Sequence, residues 1–153
     1  MKIKDIMTTE VRACSPGSNL AEAAALMLDG DCGILPVVDA GRVVGIVTDR
    51  DMFIALATRN ARASQMKVAD VARQTVFTCG PDDDVQTALE TMKARRVRRL
   101  PVVGFGDSLM GIVSMNDLVL AAGSRKGVRS EEVMETFEEI CAHHHPAPHV
   151  AVA

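Results

Sequence analysis

The sequence predicts an α/β (α+β) fold of two β-α-β-β-α repeats packed with pseudo-two-fold symmetry, followed by a C-terminal helix. Two observations carry this prediction: the chain matches itself at a shift of 65 residues, and each copy alternates extended and helical apolar patterns. Because 48% of the 153 residues are hydrophobic, such a chain can bury a core of ordinary domain size.

The internal repeat rests on unlike residue types that recur in the same order. A shift of 65 places Cys14 on Cys79 and Pro16 on Pro81. One residue is then inserted near Gly106, after which Asp51 aligns with Asp117. Chance similarity between apolar segments would not reproduce this order, so we infer an internal duplication.

Each repeat is predicted to contain a short extended segment, a helix, two strands and a second helix. The first helices have apolar residues at i, i+3, i+4 and i+7, namely Leu20, Ala23, Ala24 and Met27, and Val85, Ala88, Leu89 and Met92. Asn19 and Glu22 have capping-box spacing, and Asp84 is the expected N-cap of the equivalent helix. The predicted extended segments are 11–14 and 76–79, and the strands are 35–38, 43–47, 100–103 and 109–113.

We divide the chain into repeat 1 (1–60) and repeat 2 (61–124), which form one module, and a C-terminal part (125–153). A helix is predicted from Glu131 to about Ala142, with Val133, Phe137 and Ile140 on its apolar face. The tail from residue 143 is expected to be disordered and dispensable for folding. Its four His residues and Cys141 are irregularly spaced, so we predict no metal site.

Composition and missing motifs exclude several function classes. A net charge of −3 and 3% aromatic residues argue against nucleic-acid binding. The absence of a signal peptide or a long apolar run predicts a cytoplasmic protein without membrane contact, and the four Cys residues suggest no disulfide framework. All His residues lie in the tail and no catalytic motif occurs, so we expect no enzyme activity and no obligatory cofactor.

Two hydroxyl-x-x-Asp motifs follow the second strand of each repeat. They are Thr48 with Asp51 and Ser114 with Asp117. Each is sufficiently explained as a helix cap, but a helix N-terminus also attracts phosphate, and an Asp there can accept from ribose hydroxyls. The Arg run at 95–99 is a solvated face or, through Arg98 or Arg99, a phosphate contact.

These motifs resemble those of the cystathionine-β-synthase (CBS) domain family, and specifically a stand-alone tandem pair. The resemblance covers residues 1 to 122 and rests on the segments 32–39, 45–51, 98–103 and 111–117. It implies binding of adenosine-containing ligands such as AMP, ADP, ATP, NAD or S-adenosylmethionine, and frequent dimerisation. It further implies that the Asp holds ribose, that the Thr or Ser lies by phosphate, and that backbone before the Pro-containing strand flanks adenine.

The expected function is therefore a homodimeric regulatory module that binds an adenine nucleotide and acts on an unknown target protein. The dimer is expected because one pair should leave apolar helix faces incompletely buried, including Met52, Leu56, Leu118 and Leu120. The alternative is a structural or protein-interaction module without a nucleotide, in which the C-terminal helix is the docking surface. The candidate ligand-binding residues are Ser114, Asp117, Val97, Arg98, Arg99, Thr78, Thr48, Asp51, Gly33, Ile34 and Leu35. We further hypothesise that Arg98 and Arg99 make the cleft of Asp117 the tighter site for a charged nucleotide, and that the cleft of Asp51 is weaker.

Overall fold

The computed structural model describes residues 1–123 and 127–142. Repeat 1 contains α1 (Leu20–Asp29), β1 (Ile34–Asp39), β2 (Arg42–Thr48) and α2 (Asp49–Arg59). Repeat 2 contains α3 (Val85–Arg95), β3 (Arg99–Val103), β4 (Leu109–Ser114) and α4 (Met115–Gly123), and α5 (Ser130–Cys141) follows. The predicted order of elements is confirmed.

Each repeat has an antiparallel strand pair with the same register and the same irregularity. Leu35 lies opposite Val47 in repeat 1, and Leu100 lies opposite Val113 in repeat 2. The predicted extended segments contribute one bridging residue each, because Cys14 pairs in parallel with Val37 and Cys79 pairs with Val102. The first β element of each repeat is thus a single bridge and not a full strand.

Helix starts follow the sequence closely, with one exception. Asn19 Oδ1 accepts from Glu22 N at 3.0 Å and Asn19 N donates to Glu22 Oε2 at 3.1 Å, which is the predicted capping box of α1. Asp84 does occupy the N-cap position of α3, but its side chain makes no capping hydrogen bond. The carboxylate pairs with Lys2 at 3.1 Å instead, because the N-terminal segment lies against this turn.

A segment at the start of each repeat packs against the other repeat. We call residues 3–8 the first lead-in and residues 68–73 the second lead-in. Ile3, which is fully buried, joins the core of repeat 2 beside Leu100, whereas Val68, also fully buried, joins the core of repeat 1 beside Leu35. Each of the two cores is therefore completed by the chain segment that precedes the other repeat's motifs.

One residue of each lead-in also forms an antiparallel β-bridge with the second strand of the other repeat. Thr8 N donates to Ile112 O and Ile112 N donates to Thr8 O, each at 2.9 Å. Arg73 N donates to Ile46 O at 2.9 Å and Ile46 N donates to Arg73 O at 3.0 Å. Position 8 and position 73 are related by the 65-residue shift, so the crossing obeys the pseudo-two-fold symmetry.

Helix α5 packs on repeat 2, against α3 and α4, through Val133, which is buried, and Phe137, which is partly buried. Its acidic face pairs with α3 through Arg96 and Glu139 at 2.5 Å and Lys93 and Glu135 at 3.6 Å. The predicted C-terminal helix is confirmed, and its apolar face is covered by its own chain. The tail from residue 143, including the predicted disorder and His cluster, lies outside the described residues.

Burial differs from expectation at three apolar positions. Ala24 is exposed, although the helical pattern places it on the apolar face of α1. Of the four residues expected to remain incompletely buried, Met52 and Leu118 are core residues at 5% and 0% exposure, whereas Leu56 is partly buried and Leu120 is 74% exposed. None of the helices within residues 1–123 and 127–142 combines the length and the apolar character needed to cross a bilayer.

Candidate ligand-binding clefts

Both hydroxyl-x-x-Asp motifs act as helix caps. In repeat 1, Asp51 N donates to Thr48 Oγ1 at 3.1 Å, and that hydroxyl donates to Asp51 Oδ2 at 2.8 Å. In repeat 2, Asp117 N donates to Ser114 Oγ at 3.3 Å, and Asp117 Oδ2 accepts from Ser114 Oγ at 2.6 Å and from Ser114 N at 2.8 Å. Capping fixes each carboxylate at the end of a buried strand. We call the motif regions of Asp51 and Asp117 the first cleft and the second cleft.

The carboxylate of the first cleft is paired with a cation from the second lead-in. Arg73 donates from Nε to Asp51 Oδ2 at 3.1 Å and from its terminal nitrogen to Oδ1 at 2.7 Å. Burial alone would raise the pKa of Asp51, but the hydrogen bonds from Arg73 and Thr48 outweigh it and lower that pKa. Both carboxylate oxygens of Asp51 are thus engaged within the chain.

The second cleft is an open cavity of about 430 Å³ built from both repeats. Repeat 2 contributes Arg99, Ile112, Ser114 and Asp117, and repeat 1 contributes the loop around residues 29–34 and the segment 8–12. No Lys or Arg in the described parts of the chain forms an ion pair with Asp117. Its carboxylate therefore keeps acceptor capacity on Oδ1 that the first cleft lacks.

Charge in the second cleft is negative on balance. The charged lining residues are Arg12, Arg99, Glu10, Asp29, Asp31 and Asp117. Two basic and four acidic side chains give the cavity a formal charge of −2. Such a lining suits an adenosine compound of little negative charge better than a triphosphate.

The repeat symmetry predicts that the Arg run, although it lies in repeat 2, borders the first cleft. The 65-residue shift carries the loop 29–32, which lines the second cleft, onto residues 94–97. The same operation carries Arg12 onto Phe77, and the Arg95 guanidinium lies 4.9 Å from the centre of that ring. The second cleft thus combines the motif of one repeat with the helix–strand loop of the other, and by symmetry we expect the basic loop to lie beside Asp51.

Some of the candidate residues predicted from the sequence share the second cleft. Ser114, Asp117, Arg99 and Ile34 line the same cavity, and Arg99 lies opposite Ser114 in the strand register. Thr48 and Asp51 share the first cleft, and Val97 is partly buried in the loop between α3 and β3.

The remaining candidates have other surroundings. Gly33 O accepts from Asp49 N at 3.1 Å, and Arg98 O accepts from Met115 N at 3.0 Å. The Arg98 guanidinium reaches Cys141 Sγ on α5 at 3.8 Å and does not line the second cleft. Leu35 is fully buried in the core, and Thr78 is exposed outside the cavity lining.

Sequence reasoning missed the residues contributed by the two lead-ins and by the segment that follows the first of them. Arg73, which holds Asp51, and Thr8 and Arg12, which line the second cleft, were not candidates. The available signal was the repeat itself: position 8 aligns with position 73, and the two residues differ in charge. Among the described residues, no group of three or more His, Cys, Asp or Glu is arranged to hold a metal ion.

An apolar surface lies beside the clefts on repeat 1. We call it the α1–α2 groove, a cavity of about 590 Å³ whose apolar lining is Ala24, Met27, Leu28, Met52, Phe53 and Leu56. Leu28 is 82% exposed and Phe53 is 72% exposed, values that are unusual for such large side chains. Cys32 is shared by this groove and the second cleft.

The model of one protein family, the CBS domain, matches the chain twice, over residues 3–58 and 68–124. The chain belongs to the CBS domain family. The "CBS domain-containing protein YhcV" of Bacillus subtilis is 34% identical to it over 128 residues, which are 84% of this chain and 90% of that protein. This confirms the resemblance and the predicted fold class.

Solved CBS structures share the fold at low identity. The CBS domain pair of protein MJ0100, solved with 5-methylthioadenosine and S-adenosyl-L-methionine, is 26% identical with a TM-score of 0.74. The match covers 82% of this chain and 98% of that pair. The inosine-5'-monophosphate dehydrogenase of Korarchaeum cryptofilum is 30% identical over 85% of this chain, a match that covers 25% of the enzyme's own length.

Proposed function

We propose that this CBS pair is a regulatory module that binds an adenosine-containing ligand in the second cleft. The observation that carries the proposal is the cavity in which Ser114 and Asp117 meet the loop of the other repeat. A carboxylate with a free acceptor oxygen beside a helix N-terminus suits two vicinal ribose hydroxyls. The MJ0100 pair, which has the same fold, binds ligands of this class.

The lining charges favour a ligand with little or no negative charge in the second cleft. This is the reverse of the hypothesis drawn from the sequence, which assigned the charged nucleotide to Asp117 because Arg98 and Arg99 lie in the same repeat. Of these two residues only Arg99 lines the cavity, and the acidic lining residues outnumber the basic ones. Adenosine, 5-methylthioadenosine or the cationic S-adenosylmethionine is therefore the expected class of ligand.

Regulation would follow from the construction of the cleft. A ligand that contacts both repeats favours the arrangement in which the two linings are closest, and shifts the population towards it. A separate target protein would read that shift. The alternative is an interaction module without a ligand, in which the two hydroxyl-x-x-Asp motifs serve only as helix caps.

Calorimetric titration with 5-methylthioadenosine tests the proposal. Asp117→Asn keeps the size and a partial cap but loses the carboxylate, and we expect binding to weaken about tenfold to a hundredfold, since a hydrogen bond to a charged group contributes roughly 1.5–3 kcal/mol. Asp107→Asn is the matched control, because Asp107 lies in an exposed turn and pairs with Arg42 at 3.6 Å. Absence of binding by the wild-type protein would favour the interaction module.

A further inference from the structure

The two clefts differ at one position related by the repeat. Arg73 of the second lead-in occupies both carboxylate oxygens of Asp51, at 2.7 and 3.1 Å, while Thr48 Oγ1 also donates to Asp51 Oδ2, at 2.8 Å. The residue at the equivalent place beside the second cleft is Thr8, which carries no charge. A ribose can therefore reach Asp51 only after Arg73 has left it.

We propose that Arg73 is a selectivity latch on the first cleft, held on Asp51 when the cleft is empty and exchanged onto a phosphate when a phosphorylated adenosine compound binds. This inference rests on the proposed function, because it assigns Asp51 the same ribose contact as Asp117. The latch makes the first cleft selective for phosphorylated ligands. The second cleft, without a latch, accepts uncharged ones.

Exposure of the two partners shows which one can move. The Asp51 side chain is 13% exposed and is held by its cap, whereas the Arg73 side chain is 65% exposed. The guanidinium can swing into solvent while the carboxylate stays in place. A ligand that enters the cleft therefore displaces Arg73 and leaves Asp51 available to the ribose.

The free energy of exchange depends on what the ligand offers the displaced guanidinium. A neutral nucleoside breaks the ion pair and leaves Arg73 with water alone. A phosphate offers a planar guanidinium two parallel acceptors, which replaces the bidentate contact with Asp51. Selectivity is the difference between the binding free energies of the two ligands, and the neutral ligand binds more weakly because it breaks the ion pair without replacing it.

The Arg73 contact also joins the second lead-in to α2, so it could act only as a structural brace. A brace would change stability and would alter the affinities of two closely related ligands in the same direction. A latch changes them in opposite directions. The ratio of the dissociation constants for adenosine and AMP therefore separates the two roles.

The experiment uses the Asp117→Asn protein, in which the second cleft is silenced, and titrates it with adenosine and with AMP. Adding Arg73→Gln should tighten adenosine binding about fivefold, because the ion pair with Asp51 no longer has to be broken. It should weaken AMP binding about tenfold or more, because a charged hydrogen bond to phosphate is lost. Arg73→Lys, which keeps the charge without the fork, should retain most of the AMP binding and still improve adenosine binding.

Arg42→Gln is the matched control, since Arg42 also forms an ion pair, with Asp107, does not line the second cleft and lies at the opposite end of β2 from Thr48. Both dissociation constants should be unchanged in it. Shifts in the same direction for adenosine and AMP, or no shift in either variant, would overturn the latch. If 5-methylthioadenosine still binds Asp51→Asn through the second cleft, the proposed function survives that result, whereas no adenosine compound binding to any variant would refute both.

Discussion

Replacing Gly111 with Ala would test how closely the first lead-in approaches β4. A Cβ at this position would lie 2.8 Å from the carbonyl oxygen of Thr8 and 2.8 Å from the sulfur of Met7. The Met7 side chain can move aside, but Thr8 is fixed by its two 2.9 Å hydrogen bonds with Ile112. The lead-in must therefore shift or lose those bonds.

The expected cost follows from the distances. Overpacking against a fixed neighbour costs typically about 1–3 kcal/mol, and we expect about 2 kcal/mol for Gly111→Ala. In Gly45→Ala the new Cβ would lie 3.1 Å from the Arg73 carbonyl oxygen. A smaller displacement relieves this steric overlap, so we expect a loss of about 1 kcal/mol in the free energy of unfolding. For a domain of this size, these losses correspond to melting temperatures lower by roughly 4–8 °C and 2–4 °C.

Urea unfolding followed by circular dichroism measures both variants. Gly17→Ala is the control, because the nearest atom to its new Cβ is 3.9 Å away and its φ is not in the left-handed region. That variant should match the wild type or gain about 0.4–1 kcal/mol. Wild-type stability in Gly111→Ala, or an equal loss in Gly17→Ala, would refute the reasoning from close approach.

Two further predictions concern surfaces. Iodoacetamide should modify Cys32 and the exposed Cys141 faster than Cys14 and Cys79, because burial raises the pKa of Cys14 to about 11 and that of Cys79 to about 12. Bound 5-methylthioadenosine should protect Cys32 alone, because Cys32 lines the second cleft. Mass spectrometry that found Cys32 unprotected would contradict ligand binding in that cleft. We propose that a second copy of the chain covers the α1–α2 groove. Light scattering should then give about twice the 16.4 kDa chain mass, and Phe53→Glu should give a monomer. A monomeric wild-type protein would contradict this dimer.

Local features of the fold were predictable because a few neighbouring residues determine them. The capping box of Asn19 and Glu22 forms as its spacing indicates, and the strand registers follow from matching motifs in both repeats. Asp84 shows the limit of this reasoning. Its N-cap position is local, but the choice between capping and pairing with Lys2 depends on a segment more than 80 residues away.

The composition of the clefts could not be read from one repeat alone. Sequence reasoning grouped Arg98 with Asp117 because they lie in the same repeat, but a pseudo-two-fold pair is expected to place the loop of one repeat beside the motif of the other. The same limit applies to Met52 and Leu118, whose burial depends on packing between elements and not on helical periodicity. The capping interpretation of Thr48 and Ser114, by contrast, holds alongside any ligand role.

The crossed lead-ins have a consequence for the origin and dissection of the molecule. A chain with a single repeat would lack the side chain that fills its own core at the position of Ile3 or Val68, both 0% exposed. Such a chain could complete its core only by exchanging arms with a second copy. Fusion of two copies turns that exchange between molecules into one within a molecule, where the arm is always present at high effective concentration. Separately expressed halves should for the same reason recognise each other, because each carries the missing piece of its counterpart.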